Sequence, residues 1–354
     1  MRGESQALVV IDGMHGEGGG ALVRTCLVMS ALTQQPVKIQ NVRAASKYPG
    51  LDVEDLTLLG ALASICRAET VGAEIGSNVV SFLPTSKPCG FKGEVPAPRN
   101  DVNRGSNALV ILGSLLPALA RSGVYSTLLV EGETYGSNAI SYDYFANVTL
   151  AAFRKAGLYA FPELNLAGFG RESRGLVAID VEPSALSGID WSDRGSLRSV
   201  NATVATSAIP ASVGERIVSH LKNLAQSGGL KINAEHIEVE GRGPGAFVTA
   251  WAVYERGMGG GTAMGSRGIR GETLAQFAFE EMFDWMSSSA TTDPFLADQI
   301  LLPLVLAETP STFSVSRLTL RFLTIVWVIK QFTPIHITVR GVENGPGVVR
   351  IEKI

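Results

Sequence analysis

The sequence predicts a mixed α/β fold with three βαβ-type units and an inserted segment. An apolar helix pattern followed by an alternating strand pattern occurs three times along the chain. The third occurrence lies much farther from the second than the second lies from the first, which indicates an insertion. With 354 residues, 45% of them hydrophobic, the chain can bury a large core and should form about two domains.

The first two units are predicted in full. The first contains, in order, a strand at Ala7–Ile11, a helix at Ala21–Thr33, a strand at Val37–Arg43, a helix at Val53–Arg67 and paired strands within Thr70–Pro84. The second contains a helix at Ser106–Leu119, a strand at Thr127–Gly132, a helix at Tyr142–Ala156 and paired strands within Leu158–Glu182. Each helix has the apolar periodicity that packs one face against a sheet.

The third unit and the insertion complete the chain. A helix over Leu318–Phe332 and a strand over Ile335–Gly341 correspond to the first helix and second strand of the earlier units. The insertion, residues 184–268, is predicted to contain strands at Arg198–Ala205, Glu235–Glu240 and Ala246–Tyr254, a helix at Ala211–Gln226, and glycine-rich turns at Arg242–Gly245 and Gly257–Gly261. We therefore expect one domain from residues 1–183 and 269–354, and a small α/β domain from residues 184–268.

Charge, cysteine and histidine spacing, and the length of the apolar runs limit the classes of function that the chain can have. The net charge is −3 and the sequence pI is about 5.9, so any contact with RNA must be local, through a few arginines. Three cysteines without a CxxC spacing and four scattered histidines do not indicate a zinc site. The apolar runs are too short to span a membrane, and the N-terminus lacks a signal-peptide pattern. We expect a cytoplasmic protein, or a nuclear one if the source is eukaryotic, that is not secreted.

The most informative segment is a glycine-rich loop between the first strand and the first helix. Gly16, Gly18, Gly19 and Gly20 surround Glu17. Such a loop can expose backbone N–H groups at a helix N-terminus, where a phosphate binds. The same glycines can also serve only to make a tight turn. The loop has neither the Walker A nor the Rossmann pattern.

Further segments resemble the RNA 3'-terminal phosphate cyclase family. The matching segments are Asp-Gly-x-x-Gly-Glu-Gly-Gly-Gly at residues 12–20, Arg24, Val42-Arg43-Ala44, Pro49-Gly50-Leu51, Leu115–Leu119, Trp251–Glu255, Leu296-Ala297-Asp298-Gln299, Leu323-Thr324 and Trp327-Val328-Ile329. They occur in order from about residue 7 to about residue 352, which one shared glycine loop would not explain.

This resemblance implies a fold, a reaction and site residues. The expected fold is a large domain of three βαβαββ-type repeats, like the C-terminal domain of translation initiation factor 3, with a small insert. The implied activity uses ATP and Mg²⁺ to convert an RNA 3'-phosphate into a 2',3'-cyclic phosphate. The implied site residues are Glu17 as active-site acid and metal ligand, Gly18, Gly19, Gly20, Arg24 and Arg43 for phosphate, and Phe295, Asp298 and Gln299 for the nucleotide.

One departure from the family pattern concerns the nucleophile. In the family, a histidine before a Leu-Leu-Thr-Asn-Ile-Trp-like helix attacks the α-phosphate of ATP. Here Arg321 occupies that position. An arginine stays protonated and cannot attack a phosphate, although it can clamp one. It can equally be a surface residue of an amphipathic helix.

Other positions differ too, and some retained residues have alternative roles. Ile325, Leu112 and Glu54 stand where the family pattern has an asparagine and two glutamines. Arg24 can alternatively pair with a nearby carboxylate, and Asp298 can alternatively cap a helix over Gln299–Leu306. His15, two residues before Glu17, is a candidate replacement base or nucleophile, or a solvent-exposed side chain.

Two functions are consistent with these residues. The first is an ATP-dependent RNA 3'-terminal phosphate cyclase with a rearranged active site. The second is a homologue that forms no adenylate and binds RNA, phosphate ligands or protein partners, as an RNA-processing or ribosome-assembly factor. The replaced histidine favours the second, whereas the retained glycine loop favours the first.

Overall fold

The computed structural model describes residues 7–95, 105–136, 139–170 and 174–353. They form four small sheets and their associated helices, which confirms the predicted mixed α/β class. The N-terminal residues 1–6, on which the localisation prediction partly depends, lie outside the described residues. Within the described residues, no helix is both long enough and apolar enough to cross a membrane.

The first unit follows the predicted βαβαββ order. It consists of β1 (Val9–Asp12), α1 (Gly20–Thr33), β2 (Val37–Gln40), α2 (Val53–Cys66), β3 (Glu69–Val71) and β4 (Val80–Leu83). Its sheet has the order β1-β2-β4-β3, with β1 and β2 parallel and the other neighbours antiparallel. The α2 helix begins at a capping box in which Asp52 and Asp55 bond to each other's backbone N–H groups.

The second unit repeats this topology. It consists of β5 (Lys92–Val95), α3 (Ala108–Ala120), β6 (Ser126–Gly132), α4 (Tyr142–Tyr144), α5 (Leu150–Lys155), β7 (Ala160–Leu166) and β8 (Gly175–Val181). A π-helical segment, Phe145–Thr149, joins α4 to α5, so the predicted helix over residues 142–156 is nearly continuous. The strand order β5-β6-β8-β7 matches that of the first sheet.

The third unit corrects the predicted correspondence between repeats. It contains α8 (Pro294–Leu306), β13 (Ser311–Val315), α9 (Leu320–Phe332), β14 (Ile335–Gly341) and β15 (Gly347–Lys353). Its strand order, β13-β15-β14, equals β2-β4-β3 of the first sheet. Therefore α9 corresponds to the second helix of a unit, and the prediction that matched it to the first helix is wrong. Helical and strand periodicity recur in both halves of a unit, so the pattern alone does not distinguish them.

A short extended segment supplies the missing first strand of the third sheet. Asp190 forms a parallel bridge to Thr312 of β13, and Trp191 N–H donates to the Thr312 carbonyl at 2.8 Å. Leu186, Ile189 and Trp191 are buried in the main core. The inserted elements therefore follow this segment and precede α8.

The insert has its own sheet and helices. It contains β9 (Leu197–Ser207), α6 (Ala211–Ser227), β10 (Asn233–Glu238), β11 (Gly245–Tyr254), β12 (Gly257–Met264) and α7 (Gly271–Ser287). The predicted turn at Gly257–Gly261 is wrong, because this run is the first part of β12. Glycine is needed there because α7 packs very closely: a Cβ on Gly261 would lie 2.4 Å from the Ala278 carbonyl oxygen.

The packing of α7 against the insert sheet conflicts with the predicted domain boundary at residue 268. A second hydrophobic cluster joins α6, α7 and the insert sheet and extends to Ala290. Residue 268 precedes α7, so a boundary there would separate α7 from the sheet that it covers. We therefore propose an insert of residues 192–290, in place of residues 184–268, on the basis of the two hydrophobic clusters.

Helices of all three units meet in one core. Buried side chains of α1, α2, α3, α8 and α9 belong to a single hydrophobic cluster with the three main sheets. The N-terminus of α1, with the glycine loop before it, reaches α9 of the third unit. Residues far apart in sequence are thereby brought to one pocket.

Candidate functional site

A pocket of about 760 Å³ lies where the glycine loop meets α1, α2, α3, α8 and α9. This volume is within the range of small-molecule sites. The predicted site residues that line it are Glu17, Gly20, Arg24, Arg43, Phe295, Asp298, Gln299 and Arg321. His15, Gly18 and Gly19 belong to the adjacent loop and do not line the pocket. The structure thus brings most of the predicted residues together.

The glycine loop is held against α9. Gly16 and Gly18 adopt φ angles of +60° and +62°, a conformation that favours glycine. The Glu17 N–H donates to Thr324 Oγ1 at 2.9 Å, and the Gly18 N–H donates to the His15 carbonyl at 3.0 Å. Of the three glycines predicted to bind phosphate, Gly18 therefore has its N–H already bonded within the protein, as does the neighbouring Glu17. Gly19 is the N-cap residue of α1.

The side chains of Arg24 and Arg43 converge on Gly20. A Cβ on Gly20 would lie 2.5 Å from Arg24 Nη1 and 2.3 Å from Arg43 Nη2, so a side chain at this position would displace both guanidinium groups. Arg24 Nη1 donates to Glu54 Oε1 at 2.6 Å. The alternative that Arg24 pairs with a carboxylate is therefore what the structure shows. The partner is Glu54, one of the positions that depart from the family pattern.

Arg43 is paired with two carboxylates of the α2 capping box. Its Nη2 lies 2.7 Å from Asp52 Oδ2 and 2.9 Å from Asp55 Oδ2, and its Nε donates to Asp55 Oδ2 at 3.0 Å. These carboxylates hold the pKa of Arg43 above its ordinary value against the effect of burial. Both phosphate-binding candidates are thus neutralised by the first turn of α2.

Asp55 is the buried centre of this cluster. Its side chain is fully buried, and its Oδ1 has no hydrogen-bond partner among the described residues, with Arg24 Nη1 3.6 Å away. Burial, reinforced by Asp52, raises the pKa of Asp55 to about 7, although Arg43 and Arg24 act in the opposite direction. The charge of the cluster therefore changes near neutral pH.

Arg321, at the position of the family nucleophile, forms a forked ion pair with Glu17. Arg321 Nε lies 3.2 Å from both carboxylate oxygens of Glu17, and its Nη2 lies 3.1 Å from Oε1. Burial would lower the pKa of Arg321, but Glu17 and Asp298 keep it above its ordinary value. The guanidinium stays charged and cannot act as a nucleophile. The Arg321 side chain is 45% exposed, so it faces the pocket and solvent.

Asp298 lies in α8 and does not cap it. The N-cap of α8 is Asp293, whose Oδ1 accepts from the Leu296 N–H at 2.8 Å, so the capping alternative for Asp298 is wrong. The Oδ1 of Asp298 is buried and has no partner among the described residues. Burial raises the pKa of Asp298 to about 8, Arg321 partly opposes this rise, and Glu17 adds to it.

The other α8 candidates are positioned by bonds within the protein. The Gln299 Nε2 donates to the Phe295 carbonyl at 3.0 Å, and its Oε1 accepts from Thr149 Oγ1 at 2.6 Å. Both residues line the pocket beside Asp298. The Gln299 amide is therefore fixed in one orientation.

His15 is not among the residues that line the pocket. Its ring stacks on Trp327 of α9, with centroids 3.7 Å apart and planes inclined by 17°. His15 thus braces the glycine loop against α9. This contact does not favour the hypothesis that His15 replaces the missing nucleophile.

Some pocket residues are not among the sequence predictions. Tyr48, Asp52, Asn107 and Glu133 line the pocket. Asp52 pairs with Arg43, as does Asp55, which is buried and does not line the pocket. The acidic residues do carry a signal, because an aspartate before an apolar helical run, with another acid three residues later, indicates a helix N-terminus. The sequence does not show that this N-terminus faces Arg43.

Glu17 is poorly suited to hold a metal ion in this arrangement. Both of its carboxylate oxygens accept hydrogen bonds from a guanidinium, which occupies the place that a cation would take. Among the described residues, no group of three or more histidine, cysteine, aspartate or glutamate side chains is arranged to hold a metal.

Comparisons with known proteins agree with the residue pattern. The family described as RNA 3'-terminal phosphate cyclase matches residues 15–339. Proteins named RNA 3'-terminal phosphate cyclase from Gloeothece citriformis and Methylococcus capsulatus are each 32% identical, over 326 and 349 residues. These alignments cover 91% and 97% of this chain, and 93% and 96% of the relatives.

An archaeal relative and one solved structure complete the comparison. The protein of the same name from Pyrococcus furiosus is 32% identical over 97% of this chain and 98% of its own length. The enolpyruvyl transferase NikO from Streptomyces tendae aligns with 98% of this chain and 49% of its own, at 10% identity and a TM-score of 0.38, which is too low to support an argument. The family match and the full-length relatives show that this chain belongs to the RNA 3'-terminal phosphate cyclase family.

Proposed function

We propose that this protein is a cyclase-like member of the family that binds the phosphate-bearing 3' end of RNA without forming a covalent adenylate. The observation that carries the proposal is the forked ion pair between Arg321 and Glu17. It places a permanently charged guanidinium where the family resemblance puts a nucleophilic histidine. A guanidinium has no lone pair available for attack on phosphorus at neutral pH.

The rest of the pocket supports binding. Arg24, Arg43 and Arg321 are three guanidinium groups directed at one cavity, and each can exchange a carboxylate partner for a phosphate oxygen. Phosphate binding must compete with these ion pairs, so we expect modest affinity and a clear dependence on salt. The net charge of −3 agrees with a contact confined to the RNA end.

Of the two predicted cofactors, ATP suits the residues of the pocket better than Mg²⁺ does. The pocket volume and its apolar wall suit a nucleotide, which Phe295, Asp298, Gln299 and the arginines would hold. ATP therefore remains a proposed ligand. The ion pair between Glu17 and Arg321 does not suit Mg²⁺ at Glu17, and we derive no step through a metal ion.

An ATP-dependent cyclase with a rearranged active site is the second candidate. Retention of Arg24, Arg43, Asp298 and Gln299 around one pocket favours it. The stacking of His15 on Trp327 argues against His15 as its nucleophile. A role as an RNA-processing or ribosome-assembly factor is compatible with binding alone.

Labelling with ATP separates the two candidates. The protein is incubated with α-labelled ATP, and protein-bound AMP is sought on a denaturing gel. We expect no labelled protein. A labelled adduct that is acid labile and maps to His15 would establish the second candidate. An adduct that is lost in Arg321→Ala would contradict the conclusion that Arg321 cannot act as the nucleophile.

Binding is tested separately by titration calorimetry with a short RNA ending in a 3'-phosphate and the same RNA ending in a 3'-hydroxyl. We expect tighter binding of the phosphorylated RNA, and a loss of this preference in Arg24→Ala and Arg43→Ala. Arg340→Ala, which changes an exposed arginine of β14, is the matched control. Equal binding of the two RNAs by the unmodified protein would show that the phosphate site is misplaced.

A further inference from the structure

The outer face of the second sheet carries a cluster of exposed aromatic side chains, none of which lines the pocket. Tyr125, Tyr159 and Phe161 are 44%, 45% and 48% exposed, and the neighbouring Val124 is 51% exposed. Single exposed apolar residues need no explanation, but several on one sheet face indicate an interaction site.

Strand register places these residues side by side. Phe161 of β7 pairs with Asp180 of β8, and Asp180 pairs with Thr127 of β6. Two residues farther along each strand, the Glu182 N–H donates to the Tyr159 carbonyl at 3.0 Å. Residues two apart on a strand share a face, so Tyr159 and Phe161 lie on the same face as Asp180 and Glu182.

Tyr125 closes the cluster from the β6 side. It precedes Thr127 by two residues, and Thr127 Oγ1 donates to Asp180 Oδ1 at 2.9 Å. Desolvation, followed by a hydrogen bond with Asp180 and the charges of Asp180 and Glu182, raises the pKa of the Tyr125 phenol. Residues two apart on a strand share a face, so Tyr125 lies on the same side of the sheet as Thr127 and its partner Asp180. We call Tyr125, Tyr159, Phe161, Asp180 and Glu182 the aromatic–acidic face.

The charges around this face are mostly negative. Glu163 and Glu94 are exposed at alternate positions of β7 and β5, on the same side of the sheet as Phe161 and Lys92. Two basic side chains lie on these rows of the described residues: Lys92, which pairs with Thr127, and Arg174, which precedes β8 and lies 3.4 Å from Glu131. Carboxylates repel the phosphates of RNA, whereas arginine and lysine side chains pair with carboxylates and stack on aromatic rings.

We propose that the aromatic–acidic face is a docking surface for an arginine-rich segment of a partner protein. The aromatic rings provide flat surfaces for guanidinium groups, and Asp180 and Glu182 provide the opposite charge between the rings. The edge strand β7 contains Pro162, which has no N–H to donate, so docking uses the face of the sheet rather than strand addition at its edge.

The test uses a fluorescein-labelled peptide of alternating arginine and glycine, with a glutamate–glycine peptide as its charge-reversed counterpart. Fluorescence anisotropy with the full chain should show binding of the arginine peptide only. Phe161→Ser and the double variant Asp180→Asn/Glu182→Gln should each weaken it at least tenfold. Phe277→Ser, at a 53% exposed phenylalanine of α7 in the insert, is the matched control and should bind normally.

Other outcomes would overturn the proposal. They are an arginine peptide that does not bind the unmodified protein, binding that persists in both face variants, and binding lost equally in Phe277→Ser. An oligouridylate whose binding is weakened by Phe161→Ser and strengthened by Asp180→Asn/Glu182→Gln would instead identify the face as an RNA surface. Circular dichroism of each variant, expected to match that of the unmodified protein, separates these results from misfolding.

Discussion

Single charged residues define what the pocket can bind. Glu54 lies 2.6 Å from Arg24 and also accepts the Asn107 N–H at 3.1 Å, so one carboxylate both neutralises a phosphate-binding candidate and joins α2 to α3. The sequence allowed this pairing only as an alternative. The pairing of carboxylates with arginines depends on distances in the folded structure. These distances cannot be predicted from residue spacing along the chain.

Replacing Glu54 with glutamine should strengthen phosphate binding. Glu54→Gln keeps an oxygen for the Asn107 N–H but removes the negative charge that competes with phosphate for Arg24. We expect about tenfold higher affinity for a 3'-phosphorylated RNA, which equals about 1.4 kcal/mol. Titration calorimetry measures it, with Glu343→Gln, at an exposed loop position, as control. Weaker binding by Glu54→Gln would mean that Arg24 does not contact the phosphate.

Asp298 should make stability depend on pH. Its pKa in the folded protein is about 8, above the ordinary 3.8, so between these values the folded state binds a proton more tightly than the unfolded state. The contribution of Asp298 to the free energy of unfolding is therefore greatest below about pH 4 and falls as the pH rises to about 8. Asp55, with a pKa of about 7, acts in the same direction.

Asp298→Asn removes this titration. We expect urea unfolding to show that the variant gains stability relative to the unmodified protein between pH 5 and pH 9. The expected gain is roughly 4 kcal/mol, since about three pH units separate pH 5 from the folded pKa and each is equivalent to about 1.4 kcal/mol. Asp284→Asn, at an exposed position of α7, should show no such gain. A constant difference between Asp298→Asn and the unmodified protein at both pH values would show that Asp298 titrates normally.

At the scale of elements, regular periodicity was sufficient for most of the fold. The predicted helix at Ala21–Thr33 is α1, and that at Ala211–Gln226 is α6, each within one residue at its ends. Two elements were misjudged for different reasons. The segment that forms β12 was predicted as a turn because it begins with glycines, which normally indicate a turn. The α9 helix was matched to the wrong helix of the repeat because the order of strands in a sheet cannot be predicted from the residue pattern of a single strand.

The glycines of β12 provide a test of this close packing. In Gly261→Ala the new Cβ would lie 2.4 Å from the Ala278 carbonyl oxygen and 2.6 Å from Glu281 Cβ, so α7 must move. We expect a loss of about 1–3 kcal/mol in the free energy of unfolding, measured by urea titration. Gly60→Ala in α2, where nothing lies within 4 Å of the new Cβ, should instead add about 0.5–1 kcal/mol. Equal effects of the two substitutions would contradict the close packing of β12 against α7.

At the scale of the whole molecule, the insert is joined to the main domain by buried contacts. Tyr144 donates to Asp293 Oδ2 at 2.6 Å, and that oxygen also accepts from the Gly260 N–H of β12 at 2.7 Å. A third hydrophobic cluster places Tyr135 of the second unit against Phe247 of β11. Composition and spacing could reveal an insertion but not this contact, since it depends on how the two sheets face each other.

Limited proteolysis tests this arrangement. Residues 266–270 are exposed and include Arg267 and Arg270, so trypsin should cut there first. The segment around Ile189 and Trp191 is buried in the main core and should resist proteases in the folded protein. Because α7 remains packed on β12, the two fragments should stay together on a native gel. Early cleavage within Val213–Leu224 would show that α6 is not a packed helix.

The hydrogen bond from the Glu17 N–H to Thr324 has a consequence for synthesis of the chain. Its two partners are 307 positions apart, and the glycine loop, Arg24 and Arg43 emerge from the ribosome long before α9. Until α9 has been made and has closed against the loop, Arg321 is missing from the pocket and Glu17 has no cationic partner. The complete pocket is therefore a property of the nearly finished polypeptide. A chain released before Thr324 would contain most of the proposed binding residues without the pocket that α9 completes.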